Sequence, residues 1–335
     1  RLQPSELTMD SKDNQSSQMT ITTALIDLLK RTNVETEAVN SLNVLRAILK
    51  DRVMSKYDDF LYPLIFEAII LTSMKFEGWD FVAASNLCFA TVFHKIFKRS
   101  DSTLNLKQFF QKISKAKELI VNGLNSKITH ANYLALTVIT SFRKTSGDDR
   151  SLLKNVARFV SSRSSRIRRT AALACAIVTP ETEYELLASQ CVHFICGSRF
   201  CTDRKIESNG YFTIENEGGK IDSNTFHGLV LIIRILLERK DDLSASLFFP
   251  SINLEIVPPL ILDDISFIYT RINQNGLMNR PFKFCHFYFD QVSSIVCARK
   301  MPDGMNDLTD SQLVSLLTKV NSKNRAVSSE KVAID

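Results

Sequence analysis

Glycine and proline are scarce in this 335-residue chain, at 10 and 8 residues. Sheets and nucleotide-binding α/β folds spend both residue types on tight turns, so the shortage argues for long helices joined by short connections. No run of about 18 apolar residues occurs. The nearest, Leu61 to Thr72, is broken by Pro63 and Glu67, so no membrane span is expected. Arg1 to Ser17 is polar, lacks the apolar core of a signal peptide and does not open on Met. The chain is therefore expected to be a section of a longer protein.

Catalytic signatures are missing as well. There is no G-x-G-x-x-G, P-loop, H-E-x-x-H or G-x-S-x-G. A methyltransferase would need a strand followed by a glycine-rich turn to approach its cofactor. The one adjacent pair, Gly218-Gly219, sits in a polar stretch. Neither a catalytic residue nor a cofactor or metal site is expected. Cys191-x-His193-x-x-Cys196-x-x-x-x-Cys201 invites a zinc reading. However, residues five apart on a helix diverge by about 140°, and no C-x-x-C knuckle is present. Seven cysteines (Cys88, Cys175, Cys191, Cys196, Cys201, Cys285, Cys297) form an odd set, mostly in apolar helical context. Reduced, buried thiols in a cytosolic or nuclear protein are the expected state.

What is present is a steady helical period. Ile21, Leu25, Leu28 and Leu29 read as one stripe, and Val39, Leu42, Leu45 and Leu49 as the next. Phe60 to Phe76 is a third helix; Trp79, Val82, Asn86, Phe89, Phe93 and Phe97 step along a fourth, with Trp79, Phe89, Phe93 and Phe97 expected inside. Asn105 to Leu124 pairs with His130 to Phe142, closed by Ser146 to Asp149. Leu152 to Val160 pairs with Arg166 to Val178. Thr179-Pro180-Glu181 looks like an N-cap, a first-turn proline and a first-turn acid, opening a helix to about Gly197. Residues 201–222 read as an irregular insert in which Tyr211 to Ile214 forms a candidate short strand. Helices resume at Thr225 to Arg239, Leu262 to Ile272 and Phe282 to Ala298, and a last one opens on Thr309-x-x-Gln312. Two helices per roughly 40 residues is HEAT or armadillo spacing, in which each pair buries its apolar face on its neighbours. The expected fold is all-α, a solenoid of antiparallel helix pairs. Its repeats cover 19–200 and 223–323, between a disordered lead (1–18) and a polar tail (324–335).

Three blocks carry more than periodicity. The first is Ser41 to Asp51, with Asn43, Arg46 and Asp51 at its polar positions. The second runs from Trp79 through Ser85 and Phe89 to Phe97. The third is Asn224-Thr225-Phe226-His227-Gly228-Leu229. In this order and spacing, over about residues 20 to 240, they resemble the central region of the THADA (thyroid adenoma-associated) family, whose pattern reads roughly "LNxLRAxxxD", "WxVRNSSxLLF…RIF" and "NxxHGxLL". That family consists of very long HEAT-like proteins. It includes the auxiliary subunit of a tRNA 2′-O-ribose methyltransferase acting on the first nucleotide of the anticodon loop. The resemblance implies a non-catalytic subunit with a methyltransferase and tRNA as partners, and S-adenosylmethionine entering only through the partner enzyme. It departs from the pattern at Val82-Ala83, where the family has Arg-Asn. The family's "RRSAG" element would fall upstream of Arg1.

The net charge of +6 carries meaning only if it is clustered. The densest cluster is Arg163, Arg166, Arg168 and Arg169. Ile167, Ala171, Ala174 and Val178 share one helix face, which must be the core. Arg168 flanks that face and is expected to bond within its repeat. Arg163, Arg166 and Arg169 point away from it, three residues apart. They read either as a guanidinium ladder for phosphates or as a solvated helix face. Lys95, Lys98 and Arg99 close the Trp79 helix, where cations favour the macrodipole and also offer a second candidate contact. His227-Gly228 reads as a structural helix start or as a partner contact. Two functions stay open: a tRNA-positioning subunit, and a protein–protein scaffold without RNA.

Overall fold

The computed structural model describes residues 19–50, 58–99, 106–142, 150–201, 221–240, 243, 247, 249–250, 252–254 and 256–275. The disordered lead, Asp51, the Ser146–Asp149 breaker, residues 202–220 with Tyr211 to Ile214, the two last expected helices, Cys285, Cys297 and the polar tail lie outside these residues.

The protein is all-α. Among the described residues the helices are α1 (19–31), α2 (Glu35–Lys50), α3 (Asp58–Ser73), α4 (Trp79–Arg99), α5 (Leu106–Lys112), α6 (Ala116–Asn125), α7 (Thr129–Thr140), α8 (Leu153–Ala157), α9 (Ser165–Val178), α10 (Tyr184–Cys196), α11 (Ser223–Arg239) and α12 (Pro259–Asn275). No strand occurs among them, only an isolated antiparallel bridge between Cys201 and Ile252. None of the described helices is long and apolar enough to cross a membrane. The chain divides into two compact units, 1–184 with 212–215, and 185–211 with 216–335.

In the first unit alternate helices stack. α2 packs on α4 and α7 on α9, while α3 packs on α6 and α6 on α8. The Lys30–Glu67 ion pair (2.5 Å) and the Thr72 hydroxyl donating to Leu29 O (2.9 Å) join α1 to α3. Contacts from Phe81 and Ser85 to His130 join α4 to α7. Short connections at 32–34, 74–78, 126–128 and 162–164 make consecutive helices antiparallel neighbours. The result is one layer of α1, α3, α6 and α8 against a second of α2, α4, α7 and α9, which is helical-repeat packing. The core between them centres on Phe66. Its ring meets Phe109 edge-on at 5.5 Å and lies 6.5 and 6.2 Å from Phe89 and Phe93. Each such aromatic pair adds about 0.5–1.5 kcal/mol beyond its buried area.

Several expected details are corrected. Trp79 is 84% exposed, not inside. At about 100° per residue it falls opposite Cys88; the true seam is Phe81, Ala84, Ser85, Cys88, Phe89, Val92 and Phe93, so Phe89 and Phe93 are buried as expected. The side chain of Phe97 lies outside the described residues. In α1 the buried positions are Thr22, Ile26 and Leu29, while Ile21 and Leu28 face out. The helix expected from Asn105 to Leu124 is two, because Lys115 takes a left-handed conformation (φ 67°) between α5 and α6. Thr179 does not cap the next helix. Its hydroxyl donates backward to Cys175 O (2.8 Å), and Glu181–Glu183 form a 3-10 turn before α10.

In the second unit α11 packs on α12. Asp222 caps α11 by accepting from Thr225 N at 2.7 Å, replacing water for one of the orphan amides. Phe200 stacks near Phe226 at 4.5 Å, and the Tyr269 hydroxyl donates to Pro250 O at 2.7 Å.

Candidate nucleic-acid interface

Charge along the chain is uneven. From Leu119 to Pro180 there are ten basic side chains and two acids, Asp148 and Asp149. That segment nets +8 in a chain whose total is +6, so everything else is slightly acidic. The described residues of this segment run from Leu119 within α6 to the end of α9, bordered by exposed Glu118 on the first turn of α6 and by Glu183, 3.7 Å from Arg150.

The first turn of α9 holds the densest part. Ser164 caps the helix by accepting from Ile167 N (3.4 Å), and no acid occupies the first turn. Arginines there oppose the positive end of the macrodipole, so helix stability does not account for them. Arg163, Arg166 and Arg169 are exposed, and Ile167, Ala171, Ala174 and Val178 are buried, as the helical period requires. Arg168 turns inward and is 4% exposed. Its guanidinium donates to Ser162 O (2.6 Å) and Arg163 O (3.0 Å), binding the turn before α9 to the helix itself.

Two further side chains tie this turn to α6 and α7. The Arg166 guanidinium lies over the Tyr133 ring, 4.3 Å from its centre, and donates to the Tyr133 hydroxyl at 2.6 Å. Arg158 donates to Leu124 O, which brings a cation to the end of α6, three residues before exposed Lys127. Asn132 satisfies the same helix end, donating to Gly123 O (2.9 Å), Leu124 O (3.0 Å) and Ser126 O (3.0 Å). Gly123 permits the close approach: a Cβ there would stand 3.2 Å from that of Ala135. Exposed guanidinium groups such as those of Arg163 and Arg169 suit phosphate oxygens, which accept paired N–H groups. Tyr133 and Arg158 escaped the sequence reading. The run without acids was the available signal for the wider patch.

Lys95, Lys98 and Arg99 are on the last turns of α4, with side chains outside the described set. Asn43 is exposed on α2; Arg46, half-buried, lies close enough for its charge to act on Cys88. Burial drives the Cys88 thiol up to about 12, against the pull of Arg46, and the Cys175 thiol likewise to about 12. Both stay protonated and unreactive at neutral pH. The buried Ser85 hydroxyl meets His130 Nε2 at 2.7 Å. Burial lowers the His130 pKa to about 4, so the ring is neutral.

Asn224, half-buried, and buried Gly228 flank His227 in α11. His227 Nε2 donates to Asp264 Oδ2 on α12 at 3.2 Å, both side chains 1% exposed, and Arg234 donates to Oδ1. Arg234 also pairs with Glu238 (2.9 Å) and lies over Phe267. Burial pushes the Asp264 carboxyl up, but hydrogen bonds from His227 and Arg234, with the guanidinium charge, hold it below the ordinary carboxylate range. This network joins two helices, buried at His227 and Asp264 and reaching solvent at Arg234 and Glu238. Cys191 and Cys196 are buried and His193 half-buried, and no group of three or more metal-ligating side chains occurs among the described residues.

Comparison of the chain with protein-family models, with curated proteins and with solved structures gives no match in any of the three.

Proposed function

We propose that this chain is part of a THADA-family protein, a non-catalytic auxiliary subunit. In this reading it binds a tRNA 2′-O-ribose methyltransferase in the cytoplasm and positions tRNA for methylation in the anticodon loop. The observation that carries the RNA part is the net +8 of residues 119–180, with Arg163, Arg166 and Arg169 exposed together on the first turn of α9 and just before it. The methyltransferase part rests on the order and spacing of the three sequence blocks. Holding RNA against a partner's active site turns an encounter into an effectively unimolecular step, so such a subunit needs no catalytic group. S-adenosylmethionine belongs to the partner.

Two measurements test this. Changing Arg163, Arg166 and Arg169 together to Glu is expected to weaken tRNA binding and flatten its salt dependence, because fewer counterions are released. Stability should move by only about 0.5 kcal/mol per site. Equal binding by wild type and triple variant at every salt concentration would remove these arginines from an RNA site. Cells lacking the protein should lose 2′-O-methylation in the anticodon loop of a subset of tRNAs; unchanged methylation by mass spectrometry would sink the methyltransferase part.

The second reading, a protein–protein scaffold, is favoured by one observation. Val44, Ala83, Leu87 and Ala90 are all exposed on α2 and α4, and Trp79 begins α4. Trp is among the side chains that anchor protein interfaces, and exposed apolar patches mark interaction sites. Affinity purification scored for both tRNA and methyltransferase separates the readings.

A further inference from the structure

Arg163, Arg166 and Arg169 are all exposed. Arg166 is also seated: its guanidinium lies over a half-buried phenol on the neighbouring helix, and one N–H is committed to that phenol's oxygen. This arrangement holds back some of the donors that a phosphate would use. It also fixes the position of a planar cation on an exposed residue. Fixing a long side chain in advance lowers the entropy lost on binding.

A fixed planar cation of this kind suits a nucleobase. Bases freed from a duplex stack on aromatic rings and guanidinium planes, and every base has a face to offer. Bases inside a duplex are already stacked and cannot reach such a platform. We propose that Arg166, seated on Tyr133, is a stacking platform for an unpaired nucleobase, with Arg163 and Arg169 taking phosphates of the same strand. This rests on the RNA-binding reading above and adds to it a preference for single strands and a specificity residue, Tyr133.

The test uses the full chain and a short unstructured RNA strand carrying 2-aminopurine, alongside a duplex of the same sequence. Wild type should bind the strand and quench its fluorescence. Arg166→Lys keeps the charge and loses the plane, so strand affinity should fall about fivefold or more with the quenching lost, while duplex affinity stays. Tyr133→Leu should act in the same direction, and Arg31→Lys, the same exchange on the exposed surface of α1, should change neither. Melting curves establish that each variant is folded; if Tyr133→Leu is not, Arg166→Lys decides alone. Unchanged strand affinity and quenching in Arg166→Lys would overturn the platform while leaving RNA binding intact. Wild type binding neither RNA at low salt would overturn both the platform and the reading beneath it.

Discussion

The α1–α4 end of the first unit and its α6–α9 end follow one packing scheme, yet they differ in surface charge and in how their interiors are secured. Residues 19–99 carry ten basic and nine acidic side chains; residues 119–180 carry ten and two. The first end is held by aromatic packing around Phe66. The second is held by polar arms, with Asn132, Arg158 and Arg168 all reaching backbone carbonyls at helix ends and turns. A helical repeat needs buried apolar faces and satisfied helix ends, and both ends of this unit supply them. Neither requirement demands a surface so poor in acids. The charge imbalance is therefore separable from the fold, and it points to what the surface meets.

The largest effect expected is at the aromatic end. Phe66→Ala should cost about 3–5 kcal/mol, because the surrounding rings cannot collapse into the space. Thermal melting of that variant within a degree of wild type would mean the cluster is not the core of this end. At the polar end, Arg168→Ala should cost about 1–3 kcal/mol by stranding the Ser162 and Arg163 carbonyls, with RNA affinity unchanged in the folded fraction. If it weakened RNA binding without lowering stability, the division between inward and outward arginines would be wrong.

The two ends meet at Ser85 and His130, and pH tests that junction. The His130 pKa falls from an ordinary 6.5 to about 4 because burial disfavours the charged ring. The unfolded chain therefore takes up the proton first. The stability this group contributes is full above about pH 6.5 and is lost as pH falls toward about 4. We expect up to about 3 kcal/mol over that window, a slope that His130→Gln should remove. Denaturant titrations at several pH values measure it; equal slopes in both proteins would count against a buried neutral ring. Asp264, whose carboxyl is held low, acts in the same direction but below the ordinary carboxylate range.

Much of this was legible beforehand, and the failures share a cause. Helix identity followed from the three-and-four period, and so did the outward set of Arg163, Arg166 and Arg169 with Arg168 turned in. Period alone does not say which edge of a wide apolar arc is covered. Trp79, Ile21 and Leu28 therefore face out although their spacing is helical, while Leu29 of the same α1 stripe is buried. Contacts between distant residues left no local trace. Ser85 and His130 are 45 residues apart and His227 and Asp264 are 37 apart, so neither partner could be named in advance. Tyr133 looked like an ordinary helical position until Arg166 was seen above its ring.

The smallest effect concerns the break that periodicity missed between the two ends. Lys115 holds φ 67°, the left-handed region, between α5 and α6. A Cβ in that region costs roughly 1–2 kcal/mol, whereas glycine adopts it freely but loses more chain entropy on folding. Lys115→Gly should therefore stabilise the protein by a net of about 0.5–1 kcal/mol. Lys115→Ala is the matched control. It removes the charged side chain, keeps the Cβ and so should gain nothing. Chemical denaturation of both variants reads the difference. If glycine destabilises while alanine stabilises, the segment from Leu106 to Asn125 prefers one continuous helix, and the break between α5 and α6 is not the state the chain adopts in solution.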